Sequence, residues 1–210
     1  MTEGVVTSLK VATEKACRRV ARFAFAYAAA RSRRKVSVLH KANIMKLTDG
    51  LFLRCAKEEF EKSPRGLEYE EVIIDAGCMR IVQDPSQFDV LLCENLYGDV
   101  VSDLCAGLVG GLGVTPGANI GDERAVFEAV HGSAPTLAGK NLANPLALLM
   151  SGVMLLNYLS DQRGAPELRA CGSRIRSAYN SALEAGACTR DLGGRLGTRE
   201  FADAVIERLR

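Results

Sequence analysis

The 210-residue chain has no tryptophan, two histidines, six prolines and only a slight excess of basic over acidic side chains. Each shortage removes a class of function. The longest apolar stretch, around Leu146 to Leu156, is interrupted by Ser151 and Gly152 and falls short of the roughly 20 residues a transmembrane helix needs, so no membrane span is expected. With His40 and His131 the only imidazoles, a zinc site built from Cys and His is disfavoured. The seven cysteines form no CxxC pair, and their odd number argues against a disulfide framework, leaving buried reduced thiols as the expectation. Lys and Arg number 27 against 25 Asp and Glu, a net charge of +2 without the clustered basic excess of a dedicated nucleic-acid protein. No G-x-G-x-x-G fingerprint occurs, and without tryptophan, ligand binding gives no indole fluorescence signal.

What remains is an ordinary globular composition, 48% hydrophobic and 25% charged, which excludes disordered and collagen-like chains. The segment from Lys10 to Lys35 is rich in basic residues and could be mistaken for a transit peptide. Val11, Val20, Phe23 and Tyr27 nevertheless recur at helical spacing, with Arg18, Arg19 and Arg22 on the opposite face, which predicts an amphipathic helix from about Ser8 to Arg31.

Beyond it, Val36 to Leu39 reads as a buried strand. A helix follows from Thr48 or Asp49 through Lys62, with Leu51, Phe52, Cys55 and Phe60 on its apolar face, stopped by Ser63-Pro64-Arg65-Gly66. Tyr69 to Ile74 is a second strand ending at Asp75, Ala76 to Val82 a helix, and Phe88 to Cys93 a third strand. Asp99 to Leu108 is helical. Six glycines between Gly107 and Gly121 predict irregular, closely approaching backbone. A short strand, Ala125 to Val130, then leads into His131-Gly132-Ser133-Ala134-Pro135. Helices from Pro145 to Leu159, from Pro166 to Ala185 and from Thr198 onward complete an α/β pattern.

Polar residues collect where strands end: Lys41 and Asn43, then Asp75, then Glu94, Asn95, Asp99 and Asp103. Ligands of open α/β sheets bind beyond the carboxyl ends of the strands. Asp99 and Asp103 are four apart, on one face of a helix, where like charges repel by a few tenths of a kcal/mol unless a cation lies between them. A hard divalent ion satisfies such oxygens; equally, both acids favour the positive end of the helix dipole. Lys41 is a candidate for proton transfer, or a surface lysine with a snorkelling stem. His131 alone reads as a structural histidine at a strand end.

The motifs in combination are more specific. His40-Lys41-Ala42-Asn43-Ile44-Met45-Lys46, Asp75, Asn95-Leu96-Tyr97-Gly98-Asp99-Val100-Val101-Ser102-Asp103, the glycine-rich stretch, and His131 to Pro135 with Asn144-Pro145 closely resemble the metal-dependent isocitrate and isopropylmalate dehydrogenase family. Within it the chain is most similar to the catalytic type of subunit of NAD-dependent isocitrate dehydrogenases, and resembles the later, larger part of such a subunit. The resemblance implies an N-terminally truncated two-domain α/β subunit. Residues 1–88 would lie mostly in the smaller, dimer-forming domain and residues 89–210 in the large cofactor-binding domain.

It also implies a set of roles. Asp75, Asp99 and Asp103 would hold Mg²⁺ or Mn²⁺, and Lys41 would act in proton transfer at the hydroxyl of isocitrate. Asn43 would lie near the nicotinamide of NAD, while His131, Gly132, Ser133, Ala134 and Asn144 would carry its adenosine half. Thr136 stands where NAD-preferring members usually have an acid. Each site would span a homodimer or hetero-oligomer of related subunits, with Lys41, Asn43 and Asp75 serving the neighbour's site. The upstream half that grips the substrate carboxylates is not in view, so weak or no catalysis is expected of this chain alone. The alternatives are a non-catalytic subunit that modulates partners and a 3-isopropylmalate-type enzyme. The expected location is the mitochondrial matrix in a eukaryote and the cytoplasm otherwise.

Overall fold

A computed structural model of the chain describes residues 3–63 and 65–210; Met1, Thr2 and Pro64 lie outside the described residues, and Pro64 is one residue of the predicted Ser63-Pro64-Arg65-Gly66 stop. The chain divides into two compact units, Met1–Leu104 and Cys105–Arg210.

In the first unit, helix α1 spans Glu14–Ala30 and begins where the Thr13 side chain accepts a hydrogen bond from Ala16 N, not near Ser8. Such a cap satisfies an amide that has no partner inside the helix. Val11, assigned to this helix from its spacing, lies before it and is exposed. Val20, Phe23 and Tyr27 also face outward, at 37%, 45% and 41% exposure. The buried face is instead Cys17, Ala21, Ala24, Phe25 and Ala28. Small side chains on that face let α1 lie close against helix α2, Thr48–Phe60, which buries Phe52, Cys55 and Ala56.

Between these helices runs strand β1, Lys35–His40, with Val36 through His40 all buried. It is the centre of a parallel three-stranded sheet of order β2-β1-β3, where β2 is Glu68–Ile73 and β3 is Val90–Leu92. A central parallel strand is covered on both faces, so Val36, Val38 and Leu39 are all buried, and the one polar residue among them, Ser37, donates from Oγ to Glu70 Oε2 at 2.9 Å. Phe60 stacks on Tyr69 of β2 at 5.1 Å, and Phe25 lies beside both rings. Helix α3, Ile74–Gln83, follows β2 without a loop, so Asp75 belongs to its first turn and does not end the strand. Helix α4, Asn95–Val109, starts four residues earlier than Asp99 because Glu94 accepts from Leu96 N at 3.1 Å and Tyr97 N at 3.2 Å.

The second unit departs from a simple strand-helix alternation. The glycine-rich stretch contains a strand, β4 (Pro116–Ile120), paired antiparallel with β5 (Ala125–Ala129). Helix α5, Leu146–Arg163, crosses this hairpin and packs on α6, Pro166–Glu184, which in turn packs on α7, Thr198–Glu207. Leu146, Val153, Tyr179, Phe201 and Val205 form the core. Ser151, which interrupts the apolar run, is fully buried: its Oγ lies 2.7 Å from the Glu128 carbonyl and accepts from Gly117 N at 3.3 Å. The hydroxyl thus ties α5 to backbone groups of both hairpin strands, satisfying them away from water. Among the described residues no helix is long and apolar enough to cross a membrane.

Candidate active site

At the carboxyl end of β1 the chain turns sharply. His40 Nδ1 accepts from Ala42 N at 3.1 Å, and the Lys41 carbonyl accepts from Ile44 N at 2.9 Å and Met45 N at 2.8 Å. The turn leaves Asn43 exposed and directs Lys41 toward the first turn of α3, where its Nζ donates to Asp75 Oδ1 at 2.5 Å. The hydrogen bond from Lys41 holds the Asp75 carboxyl below the usual carboxylate range. Two of the residues singled out for chemistry, distant in sequence, therefore form one ion pair at the ligand-binding end of the sheet.

Asp99 and Asp103 lie one turn apart on α4, both exposed, and neither carboxylate has a hydrogen-bond or ion-pair partner among the described residues. Asp75 is not brought to them: among the described residues no three His, Cys, Asp or Glu side chains lie close enough to hold one metal ion. Two unpaired oxygen donors on one helical face, with a third carboxylate held by Lys41 elsewhere, are the hard ligands that Mg²⁺ and Mn²⁺ take. That donor chemistry fits a divalent ion, although among the described residues the three carboxylates do not enclose one.

Two residues that sequence reasoning passed over buttress this end of the sheet. Asp49, 2% exposed, accepts from Lys41 N at 2.7 Å and from Lys10 Nζ at 2.6 Å. Burial raises the Asp49 pKa, but these hydrogen bonds outweigh it and keep the carboxyl ionised below its ordinary value. Neither residue carries a motif; only the fold brings Lys10 from the N-terminal segment to α2.

Within the second unit a cavity of about 620 Å³ is lined by His131, Gly132, Ser133, Ala134 and Asn144. Five of the six residues assigned to NAD from the sequence thus share one pocket; Asn43 belongs to the other unit. The His131 ring donates from Nδ1 to the Gly132 carbonyl at 2.9 Å, and Ala134 adopts a left-handed backbone, φ 40°. Asn144 is 8% exposed: its Oδ1 accepts from Leu146 N at 2.9 Å, capping α5, while its Nδ2 donates to Asp191 Oδ2 at 2.9 Å.

Asp191, Asn141 and Thr198 also line the cavity and were missed. Asn141 donates to Glu200 and accepts from Arg199 N, fixing the loop to the start of α7. Gly113 closes one wall, where a Cβ would stand 2.9 Å from Asp191 Oδ2 and 3.3 Å from Asn144 Cβ. Thr136 is not among the lining residues, and among them there is a carboxylate, Asp191, but no lysine or arginine. A pocket of this size with a few convergent polar groups suits half of a dinucleotide.

Comparison with known proteins bears on both sites. Residues 1–205 match the family model described as isocitrate/isopropylmalate dehydrogenase. The chain is 53% identical over 207 residues to the mitochondrial NAD isocitrate dehydrogenase catalytic subunit 5 of Arabidopsis thaliana, covering 98% of this chain and 54% of that protein. It is 54% identical over 184 residues to the chloroplastic 3-isopropylmalate dehydrogenase of Solanum tuberosum, covering 87% of this chain and 49% of the other. Among solved structures, isocitrate dehydrogenase from Methylococcus capsulatus superposes with a TM-score of 0.90 at 44% identity, over 97% of this chain and 59% of that one. The chain spans about half the length of the curated relatives it matches.

Proposed function

Since the chain belongs to the isocitrate/isopropylmalate dehydrogenase family, we propose that it carries the metal and NAD-binding part of a site for the oxidative decarboxylation of isocitrate to 2-oxoglutarate. The strongest support is the Lys41–Asp75 pair at the sheet's carboxyl end, at 2.5 Å, with two free carboxylates on α4. Asp99 and Asp103 would hold a divalent cation together with Asp75 of a second subunit. When bound, that ion supplies Lewis-acid polarisation of the substrate's hydroxyl oxygen and, after oxidation, of the resulting carbonyl.

Lys41 carries the proton work in this reading. Its ammonium is oriented by Asp75, its backbone is pinned by Asp49, and its Nζ exchanges a proton with the substrate hydroxyl. Asn43, exposed on the same turn, is the group proposed to face the nicotinamide end of NAD. The His131–Ala134 loop binds the adenosine half, and buried Asn144 offers fixed polar atoms at the pocket wall. Preference for NAD over NADP rests on the lining itself. The extra phosphate of NADP finds no lysine or arginine there and meets the Asp191 carboxylate.

A second subunit completes the site. Residues 1–88 are proposed to belong mostly to the smaller, dimer-forming domain, and residues 89–210 to the large domain. Met79 and Val82 on α3, and Leu96 and Val100 on α4, are between 54% and 61% exposed, and each pair is apolar surface that a copy of the chain or a related subunit would cover. The names of the NAD isocitrate dehydrogenase relatives support a mitochondrial location for a eukaryotic source.

The identity to 3-isopropylmalate dehydrogenase supports a second substrate reading. Thermal unfolding with Mn²⁺ and either acid separates the two: isocitrate is expected to stabilise the chain and 3-isopropylmalate not, and the reverse would reassign the substrate. Calorimetric titration of both cofactors is expected to give NAD at least about tenfold tighter than NADP, and equal binding would refute the NAD preference.

A further inference from the structure

Lys10 lies in the extended segment before α1, yet its side chain is drawn inward to 27% exposure. Its Nζ meets Asp49 Oδ1 at 2.6 Å and Glu94 Oε1 at 3.5 Å, and stands 4.4 Å from the centre of the Tyr97 ring. The two carboxylates it joins have different second tasks. Asp49 uses its other oxygen to accept from Lys41 N at 2.7 Å. Glu94 accepts from Leu96 N and Tyr97 N, in the first turn of the helix that bears Asp99 and Asp103. One cation therefore stands between the carboxylate that fixes the Lys41 turn and the carboxylate that caps the helix bearing the candidate metal ligands.

We propose that Lys10 is a positioning residue that locks these two elements into one register. This inference rests on the reading of Lys41, Asp99 and Asp103 given above. Without the ammonium, Asp49 keeps a buried charge with no cation beside it, and two carboxylates face each other across the gap. A buried charge left alone is strongly destabilising, and the cheapest relief is for Asp49 or Glu94 to turn away and release its backbone amides. Lys10 is not one of the groups assigned above to substrate or metal. It acts through Asp49 and Glu94, as outer-shell groups do when they orient ligands.

Two measurements on the purified chain test this. In Lys10→Met, hydrogen exchange of the Lys41, Leu96 and Tyr97 amides is expected to accelerate together by about tenfold, with Lys10→Arg close to wild type. Acceleration at Lys41 alone, or at none of the three, overturns the tie. For Mn²⁺, followed by the electron paramagnetic resonance of the free ion, Lys10→Met and Glu94→Gln are each expected to weaken affinity by about three- to tenfold. Simple field effects would move them in opposite directions, tighter for loss of the lysine and weaker for loss of the glutamate, and that pattern refutes positioning. So does a lowered melting temperature with Mn²⁺ affinity unchanged. Glu94→Gln breaks the tie at its more exposed end, so the same amides report even if Lys10→Met does not fold. Should wild type and Asp103→Asn bind Mn²⁺ alike, or not at all, the metal reading fails while the exchange data still decide whether Lys10 makes the tie.

Discussion

Replacing Asn144 by alanine removes two interactions whose sizes can be estimated separately. Its Oδ1 caps α5 by accepting from Leu146 N, and losing such a cap costs about 1 kcal/mol. Its Nδ2 donates to Asp191, but that carboxylate is exposed and regains water, so this bond contributes nearer to about 1 kcal/mol than to the upper range for charged acceptors. Together the loss is about 2 kcal/mol, which for a chain of this length lowers the melting temperature by roughly 4–8 °C. Urea unfolding followed by far-ultraviolet circular dichroism reads the same quantity as a shift of midpoint.

Asn144→Asp makes the test sharper, since it keeps an acceptor for Leu146 N and places a second carboxylate beside Asp191. Two such groups raise the pKa of one of them in the folded state. A raised folded pKa gives a contribution that is present at low pH and lost as pH rises through it. The aspartate variant is therefore expected to be as weak as the alanine variant at pH 7 and to recover toward wild type near pH 5. A loss below about 0.5 kcal/mol for alanine, or an aspartate variant indifferent to pH, would refute the roles assigned to the two side-chain ends.

Other predictions follow from single contacts. Glu59, 5% exposed, has its pKa held down at about 2 by hydrogen bonds from Lys62 and Arg22. A depressed carboxyl contributes stability above its unfolded pKa and loses it as pH falls from about 4.5 toward 2, so Glu59→Gln should flatten the melting-temperature profile in that window. At pH 7 its cost should be on the order of 1–2 kcal/mol, reduced because Arg22 and Lys62 are largely exposed. Gly113→Ala thrusts a methyl against Asp191 and Asn144. NAD affinity, measured calorimetrically, should fall by about tenfold or more while stability changes by only about 1 kcal/mol; unchanged affinity would remove that wall from the cofactor site.

Much of this was legible in the sequence, and the failures have specific physical causes. β1 was readable because a buried central parallel strand is rich in apolar residues, whereas the loop from His131 was readable only through its resemblance to the family's motif, since His131 by itself reads as a structural histidine at a strand end. The face of α1 was misjudged because bulk was taken for burial: Phe23 and Tyr27 look inward by hydrophobicity, whereas alanines are what close helix packing selects. β4 was hidden by its glycine and proline, which read as irregular backbone although an antiparallel edge tolerates both. Asp191 and Lys10 join their sites from far along the chain, and no local pattern announces a contact made only by folding.

The central claim, that this chain carries carboxylates for a catalytic divalent ion, is tested most directly by calorimetric titration of Mn²⁺ with and without isocitrate, for wild type and Asp103→Asn. The account predicts saturable binding by wild type that isocitrate strengthens, and a loss of about tenfold or more in the variant. Equal binding by the two proteins, or none by either in the presence of isocitrate, would contradict it.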